Sequence, residues 1–477
     1  MSILASCVVP HPPLIIPEVG RGEEKQIRKT IEGYEAVMRR MAALEPDTVV
    51  VITPHSVMYS DYFHISPGTE ASGSLRNFRA PQVRLTVQYD SELVREITRE
   101  AEMAGISAGT MGERDRSLDH ATLIPLLFLN RFLKESYQLV RIGLSGFPST
   151  VHYAFGQCIA RAVERLGRRV ILIASGDLSH KLQPDGPYGF APEGPVFDAR
   201  IMKDLEIADF GDLLAIDESF AEKAAECGLR SFQIMAGALD RKAVEALVYS
   251  HEDVTGVGYG TASFLVSGED PKRCYLDAER ERLLREAEEA REKQDIYVRL
   301  ARASIEKMVK SGQRLRLKEI KSCLEDPESP LYGLQLPEEM TAQRAGVFVS
   351  LHKEGQLRGC IGTISATRSS IAEEILENAV SACRKDPRFS PVRTEELPFL
   401  IYSVDVLGDA EKISSMKELD VKRYGVIVSS GYRRGLLLPD LDGVDSPEQQ
   451  IDIARQKAGI GKNEPLELQR FEVVRHS

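Results

Sequence analysis

The sequence predicts an α/β N-terminal domain, in which a mostly parallel sheet is flanked by helices, followed by an α+β C-terminal domain. Apolar strand-like runs alternate with helical patterns in the first half, a highly charged segment follows, and shorter strand patterns occupy the second half. Continuous apolar strands between helices are typical of parallel sheets that are covered on both faces. We therefore expect one domain at 1–268, a charged helical linker at 269–290 and a second domain at 291–477.

The first half alternates between strand and helix patterns along its whole length. Short apolar runs predict strands at 3–9, 48–53, 139–144, 169–174 and 257–266. Apolar residues at helical spacing predict helices at 23–44, 91–104, 150–166, 194–207 and 229–239. Because the strand runs are apolar on both faces, they indicate a buried sheet.

The charged segment and the second half have a different character. Residues 269–290 are dense in Glu, Arg, Lys and Ala, which predicts a solvated connecting helix. Beyond it, strand patterns occur at 346–352, 404–407, 425–428 and 435–438, and helical patterns at 370–384 and 447–458. Short strands mixed with helices in this way indicate an α+β domain.

Composition restricts the classes of function. The chain has 477 residues, of which 43% are apolar and 28% charged, as expected of a globular protein with real cores. Its net charge of −11 argues against nucleic-acid binding, which needs a basic face. No apolar run approaches the roughly 18 residues of a membrane helix, and seven scattered cysteines favour a reducing compartment. We expect a cytoplasmic protein without a membrane partner.

Histidines and an aspartate lie where predicted strands end. His11 follows the first strand, His55 the second, and Asp177 and His180 follow the strand at 169–174, while His120 precedes an apolar helix. Ligands of open α/β sheets bind outside the carboxyl ends of strands. Two neutral imidazoles and one anionic ligand suit a divalent metal such as Fe(II), and a further histidine can act as acid or base.

A simpler interpretation of these residues stays open on the sequence alone. A single histidine after a strand is more often a hydrogen-bonded loop residue than a ligand. The segment Ser-Gly-Asp177-Leu-Ser-His180 could equally form a helix N-cap. His64 and His152 are interpreted as surface or helix residues without a functional role.

A family resemblance adds to this interpretation. Its motifs are Pro-His11-Pro-Pro, Thr-Pro-His55, Asp119-His120, Ser-Gly-Asp177-Leu-Ser-His180 and Glu226-Cys227-Gly-Leu-Arg. Together they resemble the LigB-type class III extradiol dioxygenase superfamily over residues 1–268, and especially its Memo-related branch. The resemblance implies that His11 and His55 are metal ligands, that His180 is an acid or base, and that His120 and Asp177 line the pocket.

The third ligand is where the sequence departs from ring-cleaving members. Those members carry a glutamate just ahead of an Ile-Arg-type segment, whereas Glu226-Cys227 precedes Gly228-Leu229-Arg230 here. Memo-type proteins have Cys-Gly-Arg at this place, which makes Cys227 the expected third ligand and Glu226 the alternative. A buried structural thiol is the remaining interpretation of Cys227. Fe(II) is the expected metal, with zinc or copper as alternatives.

The second half resembles the AMMECR family over about residues 290–477. The motifs that carry the resemblance lie at 357–363, 385–391, 403–407 and 434–439. Arg358 offers a planar anion-binding fork, and Cys360 beside it could be reactive or simply a small buried residue. The resemblance implies that these segments surround a common cleft, with Arg358, Cys360 and Arg388 as its candidate residues.

Three hypotheses of function follow. The first is an oxidoreductase that cleaves a catechol-like small molecule with O₂, as the resemblance to extradiol dioxygenases implies. The second is a metal-binding or redox accessory protein without dioxygenase activity, because proteins joining Memo-like and AMMECR-like parts resemble systems that include a radical-SAM protein; its ligand would be a peptide or cofactor. The third is a scaffold with inactive pockets. A homo-oligomer is compatible with each of them.

Overall fold

A computed structural model describes residues 2–113, 115–441 and 443–477 of the chain. The chain divides into two compact units, Met1–Glu281 and Arg282–Ser477. The charged segment near the middle forms a helix, Tyr275–Lys293, and the division between the units falls within it. None of the helices formed by the described residues is long and apolar enough to cross a membrane.

The N-terminal unit alternates strands and helices. Its strands are β1 (Ile3–Val9), β2 (Thr48–Thr53), β3 (Phe63–His64), β4 (Glu70–Leu75), β5 (Ala80–Gln88), β6 (Ala108–Gly109), β7 (Gln138–Gly143), β8 (Val170–Ser175), β9 (Lys242–Glu252) and β10 (Tyr259–Glu269). Its helices are α1 (Pro17–Gly20), α2 (Arg28–Ala42), α3 (Ser91–Met103), α4 (His120–Leu129), α5 (Ser149–Leu166), α6 (Glu193–Ile207), α7 (Phe210–Leu214), α8 (Glu218–Ala224) and α9 (Leu229–Ala238). Short 3-10 helices lie at Pro13–Ile15, Glu23–Ile27 and Arg76–Phe78.

The main sheet of this unit has the order β7-β2-β8-β1-β10-β9. The first four of these strands are mutually parallel, whereas β10 pairs antiparallel with β1 and β9 pairs antiparallel with β10. Every residue of β2 and β8 is buried, because helices cover both faces of the sheet. The predicted α/β domain with a mostly parallel sheet is confirmed.

Alternate residues of the parallel strands face two separate cores. Along β2, Val50 and Ile52 pack with helices α3, α5 and α9 on one side of the sheet. Val49 and Val51 pack with α2 and α4 on the other side. This position in the sheet therefore requires a strand that is apolar on both faces. The uninterrupted apolar run explains why the bounds of β2 could be predicted from sequence.

Strand β9 and the hairpin of β4 with β5 were not among the predicted elements. Charged residues at 242, 245 and 252 interrupt the apolar pattern of β9. It lies at the edge of the sheet, where it pairs with β10, and most of its residues are half-buried or exposed, so it has no continuous apolar run. The hairpin β4–β5 lies outside the main sheet, and its exposed residues alternate with buried ones.

His64 and His152 were interpreted as surface or helix residues; neither lies on the surface, because both side chains are fully buried, but His152 does lie in a helix, α5. Nδ1 of His64 lies 3.1 Å from the carbonyl oxygen of Met111. Nδ1 of His152 lies 3.1 Å from the carbonyl oxygen of Pro148, four residues earlier. Helix α5, which carries His152, packs against α3 and α9. The residues around His152 in the sequence do not indicate that this side chain is buried.

The C-terminal unit contains the rest of the elements. Its helices are α10 (Tyr275–Lys293, which begins in the N-terminal unit), α11 (Ile296–Ser311), α12 (Ile320–Glu325), α13 (Glu338–Ala342), α14 (Ile371–Arg384) and α15 (Pro447–Lys457). Its strands are β11 (Val347–Lys353), β12 (Gln356–Gly362), β13 (Leu400–Leu407), β14 (Glu411–Ile413), β15 (Tyr424–Ser430), β16 (Arg433–Leu437) and β17 (Glu467–His476). Its 3-10 helices are Leu317–Glu319, Thr394–Phe399 and Met416–Glu418.

The C-terminal sheet is antiparallel and has the order β12-β11-β13-β17-β15-β16, with β14 also paired to β17. Helices α11 and α14 cover one face of it, where Val349 and Leu351 of β11 enter the core. The predicted α+β class is confirmed. The segment around Cys360 forms the extended edge strand β12.

Two glycines allow helices α5 and α9 to cross in the N-terminal unit. A Cβ atom on Gly237 would lie 1.9 Å from the carbonyl oxygen of Tyr153, and one on Gly156 would lie 2.0 Å from that of Ile234. Both neighbours are backbone atoms, which cannot rotate away. The two helix backbones are therefore in direct contact at this crossing.

We expect Gly237→Ala to destabilise the protein by about 1–3 kcal/mol, because the added methyl group must push α5 and α9 apart. Urea unfolding of the full chain, followed by circular dichroism, measures the change. Gly268→Ala is the matched control, since a Cβ there meets nothing within 4 Å. Equal stabilities for the two variants would contradict the close crossing.

Candidate metal centre

The site lies where three adjacent parallel strands end. His11 follows β1, His55 follows β2, and Asp177 follows β8, which lies between the other two. In the register of the sheet Val9 is opposite Ser175 and Ile52 is opposite Ala174, so the strands end at the same level. The side chains that follow them are therefore brought to one edge of the sheet.

His11 lies at the centre of a group of potential metal ligands. Its Nε2 atom is 3.1 Å from Nε2 of His55, 3.7 Å from Sγ of Cys227 and 3.9 Å from Oδ2 of Asp177. The His11 side chain is buried. One imidazole nitrogen thus faces a second imidazole, a thiol and a carboxyl group.

The orientation of His11 is set by groups of β8 and the turn that follows it. Nδ1 of His11 lies 3.1 Å from Oγ of Ser175, and the backbone N–H of His11 donates to Oδ1 of Asp177 at 2.8 Å. When the imidazole carries its proton on Nδ1, it donates a hydrogen bond to the hydroxyl of Ser175, and Nε2 then presents a lone pair. This is the tautomer that a metal ligand needs.

His120 joins His11 and His55 in a cluster of three imidazoles. The ring centroids are 4.4 Å apart for His55 and His120, and 5.4 Å apart for His11 and His120. Asp119 caps helix α4 immediately before His120. The hydroxyl of Thr53 donates to Oδ1 of Asp119 at 2.8 Å and accepts from the backbone N–H of His55 at 3.1 Å. Asp119 therefore links the positions of both histidines.

Sequence reasoning missed the buried charges behind this cluster. Arg141 of β7 is 1% exposed, and its guanidinium lies 3.6 Å from Oδ2 of Asp119. The same guanidinium forms an ion pair with Glu113 and donates from Nε to Oγ of Ser66 at 2.7 Å. A charged residue within a strand was the signal that could have indicated it, because arginine is seldom buried without partners.

Cys227 reaches the site through a contact between two glycines. A Cβ atom on Gly176 would lie 2.2 Å from Cα of Gly228, so the turn after β8 touches the start of α9. The backbone N–H of Asp177 donates to Sγ of Cys227 at 3.3 Å. By contrast, the carboxylate of Glu226 accepts from the backbone N–H of Leu229 at 2.6 Å and so caps α9.

His180 lies on the other side of Asp177. Its Nε2 atom is 4.0 Å from Oδ2 of Asp177, and its buried Nδ1 atom makes no hydrogen bond to any residue that the structure describes. The ring packs edge-to-face against Tyr188 at 5.1 Å between centroids. Tyr188 is 61% exposed, and sequence reasoning did not identify it.

Burial sets the protonation of these groups. It lowers the pKa of His11, His55 and His180, and it lowers the pKa of His120 to about 4. The neighbouring histidines lower the pKa of His11 further. These imidazoles are therefore neutral near pH 7 and offer lone pairs.

The acidic groups of the site respond to burial in the opposite sense. Burial raises the pKa of Asp177 to about 7, although the hydrogen bond from the backbone N–H of His11 opposes the shift. It raises the pKa of the Cys227 thiol well above its ordinary value. The Cys227 thiol therefore holds its proton near pH 7 in the protein alone, whereas Asp177 is partly ionised there. A nearby cation would favour the ionised form of both groups.

Two overlapping groups could hold a metal ion among the described residues. One consists of His11, His55 and His120, and the other of His11, Asp177 and Cys227. Within each group the ligand atoms lie within 4.8 Å of one another. The ligand set expected from sequence, His11, His55 and Cys227, is divided between the two groups, with His11 in both.

The C-terminal candidates lie around strand β12. Arg358 donates two hydrogen bonds to the carboxylate of Glu396, at 2.8 and 3.0 Å. These bonds occupy the guanidinium group that was expected to bind an anion. Cys360 and Arg388 are joined through Asp386, which accepts from the backbone N–H of Cys360 and from the guanidinium of Arg388. The structure therefore brings Cys360 and Arg388 together and directs Arg358 to a different partner.

Comparisons with known proteins place both units in families. Residues 5–262 match the family described as the catalytic LigB subunit of aromatic ring-opening dioxygenase, and residues 298–476 match the AMMECR1 family. A Clostridium acetobutylicum protein is 39% identical over 100% of this chain and 99% of its own length. A Thermotoga maritima protein is 50% identical over 30% of this chain and 82% of its own length.

Two solved structures also show likeness to parts of the chain. An uncharacterized protein from Pyrococcus horikoshii is 28% identical over 39% of this chain and 90% of that chain, with a TM-score of 0.33. An uncharacterized protein from Escherichia coli K12 is 12% identical over 55% of this chain and 99% of that chain, with a TM-score of 0.37.

The ion pair of Asp386 with Arg388 predicts a loss of stability in acid. The hydrogen bond from Arg388 holds the pKa of Asp386 at about 2, below the value of about 3.9 in an unfolded chain. A carboxyl group whose pKa is lower in the folded chain than in the unfolded chain stabilises the fold at pH values above the unfolded pKa. This stabilisation is lost as the pH falls from about 4 to about 2. We expect a contribution of about 1–2 kcal/mol at neutral pH, because Arg388 is partly exposed.

Urea unfolding of wild type and Asp386→Asn across this pH range measures the effect. The difference in unfolding free energy between them should be largest above about pH 4 and should shrink towards pH 2. Asp409→Asn is the control, since Asp409 is exposed in the same unit. A difference that does not change with pH would show that the charge of Asp386 contributes nothing.

Proposed function

Because the chain belongs to the LigB family of aromatic ring-opening dioxygenase subunits, with an AMMECR1 domain after it, we propose that its N-terminal unit is a metal-dependent oxidoreductase. It binds one divalent ion through His11, His55 and Cys227. The observation that carries the proposal is the surroundings of Nε2 of His11, which has an imidazole nitrogen at 3.1 Å, a thiol at 3.7 Å and a carboxyl oxygen at 3.9 Å.

The donor set fits a transition metal. Neutral imidazoles suit iron, zinc and copper, and a thiolate is a softer ligand than a carboxylate. The hydrogen bond of His11 to Ser175 provides the outer partner that metal-bound histidines usually have. We propose Fe(II) as the resident ion, with zinc or copper as alternatives. When bound, such an ion would supply Lewis acidity to an oxygen atom of the substrate.

The protein's own groups supply proton transfer and substrate orientation. Neutral His180 can accept a proton from a substrate hydroxyl at Nε2, and Asp177 in its ionised form, with Oδ2 at 4.0 Å, stabilises the resulting imidazolium. The exposed ring of Tyr188 packs against His180 and offers an apolar surface to an aromatic substrate. A catechol-like small molecule matches these features.

A second candidate function is favoured by the position of the thiol. The carboxylate of Glu226 accepts a hydrogen bond from the backbone N–H of Leu229, and Glu226 belongs to neither of the two groups of potential ligands among the described residues. Cys227 faces His11 instead. A thiol in this place favours a metal-binding or redox accessory protein without dioxygenase activity, which could serve a radical-SAM partner and act on a peptide or cofactor.

Metal binding is tested with protein prepared without oxygen. We expect about one Fe(II) or Co(II) per chain in wild type, and a loss of affinity of at least about tenfold in His55→Ala and in Cys227→Ser. Glu226→Gln is the matched control and should keep the metal, because its oxygen can still cap α9. Elemental analysis gives the stoichiometry. A thiolate-to-cobalt absorption band should be present in wild type and absent in Cys227→Ser.

Other results of the same experiment would overturn parts of the proposal. If Cys227→Ser keeps the metal and His120→Ala loses it, the three histidines form the site. If no variant differs from wild type, the ion is bound elsewhere. If wild type binds neither of these ions, nor zinc or copper, the N-terminal unit is not a metal protein.

Oxygen uptake separates the two candidate functions. For a ring-cleaving oxygenase, metal-loaded protein should consume O₂ when catechol is added. His180→Gln should then lower kcat by about 10²–10⁴-fold while the metal content stays constant, because the acid–base group is lost. Fully metal-loaded wild type that consumes no O₂ with catechols would favour the accessory function.

A further inference from the structure

Three arginines of the C-terminal unit line one cavity where helices α10 and α11 meet. The cavity has a volume of about 350 Å³, and its lining consists of Glu288, Arg291, Glu292, Arg299 and Arg302. Arg291 lies in the last turn of α10, whereas Arg299 and Arg302 lie in the first two turns of α11. Residues three apart in a helix share one face. The connection between the two helices therefore brings three guanidinium groups to one place.

Gln294, in the connection between the two helices, holds two of these arginines. Its backbone carbonyl oxygen accepts from Nε of Arg299 at 2.9 Å, and its side-chain Oε1 accepts from Nη1 of Arg302 at 3.1 Å. Arg291 is held separately, since its Nη2 donates to the carbonyl oxygens of residues 397–398, at 2.7 Å each. Each guanidinium group is thus fixed by hydrogen bonds to uncharged oxygen atoms.

Carboxylates neutralise little of the charge of these arginines. Within the described part of the chain, neither Arg291 nor Arg299 forms an ion pair. Arg302 lies 3.3 Å from Oε1 of Glu306, but the same carboxylate lies 2.9 Å from the ammonium of Lys310. Burial lowers the pKa of Arg302, and although Glu306 opposes this shift, the like charges of Arg291 and Arg299 lower it further. The three guanidinium groups therefore share one carboxylate with a lysine.

The two glutamates of the cavity lining offset this positive charge only in part. Glu288 and Glu292 are both exposed to water, whereas the side chain of Arg302 is 17% exposed. Water between two charges weakens their interaction, because its dielectric constant is high. The half-buried cations therefore determine the potential inside the cavity more than the exposed glutamates do.

Three buried nitrogen atoms at this place lack an acceptor among the described residues. They are Nε of Arg291, Nε of Arg302 and Nε2 of Gln294. Gln294 is 5% exposed, and the bond from Arg302 to its Oε1 places its amide group against that guanidinium. A buried donor without an acceptor costs free energy. An oxygen-rich anion would supply acceptors to a group of donors that the chain itself leaves without them.

We propose that the C-terminal unit carries a second functional site, in which Arg291, Arg299 and Arg302 bind the oxyanion of a small molecule beside Gln294. The ligand carries a phosphate or a carboxylate group, which planar guanidinium groups bind through paired hydrogen bonds. Among the described residues, Nη1 of Arg291, both terminal nitrogens of Arg299 and Nη2 of Arg302 make no hydrogen bond, so they remain able to donate. This site is independent of the metal centre and uses none of its residues.

Anion binding to the full chain, measured by isothermal titration calorimetry at low salt, tests the site. Wild type should bind inorganic phosphate or acetate, and Arg299→Gln should weaken this binding at least about tenfold, because charge-assisted hydrogen bonds are lost. Lys321→Gln is the matched control, since it removes one positive charge from an exposed position of α12 in the same unit. It should keep the wild-type affinity. Circular dichroism shows whether each variant is folded.

Chemical modification of wild type locates the bound anion without any variant. Phenylglyoxal reacts with guanidinium groups, and peptide mass spectrometry gives its rate at each arginine. The anion that binds should slow the modification of Arg299 and leave that of Arg344 unchanged, because Arg344 is exposed and lies outside the cavity lining.

The two anions distinguish the ligand. Binding of phosphate alone indicates a phosphate-bearing ligand, and binding of acetate alone a carboxylate; either result, or binding of both, supports the site. The proposal is overturned if wild type binds neither anion, if Arg299→Gln keeps the wild-type affinity, or if Lys321→Gln weakens binding as much as Arg299→Gln does. It is also overturned if neither anion slows the modification of Arg299.

Discussion

The parallel register of β2, β8 and β1 is the constraint on which the rest of the N-terminal unit depends. Because Val9 is level with Ser175 and Ile52 with Ala174, the three strands deliver their following side chains to one edge. His11 lies in the middle of the resulting group. A shift of one strand by a single residue would turn its core side chains to the opposite face and move the ligand that follows it.

Buried charges support that edge from behind. Arg141 lies under the site with Glu113 and Asp119 as partners, and Asp119 in turn positions His120 and, through Thr53, His55. Burying ions costs free energy unless they are paired and hydrogen-bonded. The N-terminal unit places such a network directly behind the imidazole cluster, which argues that it serves the geometry of the site more than the stability of the fold.

Each unit brings distant polar groups together through close backbone contacts. In the N-terminal unit, Gly176 touches Gly228 and so sets Cys227 beside His11. In the C-terminal unit, Gly359 lies against the carbonyl oxygen of Ala382, and the next residue, Cys360, donates its backbone N–H to Asp386. A larger residue at either glycine would move the functional group by the width of a methyl group. The candidate metal centre and the contact of Cys360 with Asp386 thus depend on glycines that contain no reactive atom.

The sequence by itself determined the buried strands and the residues that follow them. Strands β1 and β2 were predicted with their observed bounds, because a strand buried on both faces needs an uninterrupted apolar run. The buried Arg141 with its partners and the approach of Cys227 to His11 were decided by tertiary structure alone. Each depends on a partner more than ten residues away or on a backbone contact between helices, and local patterns of hydrophobicity carry no information about such partners.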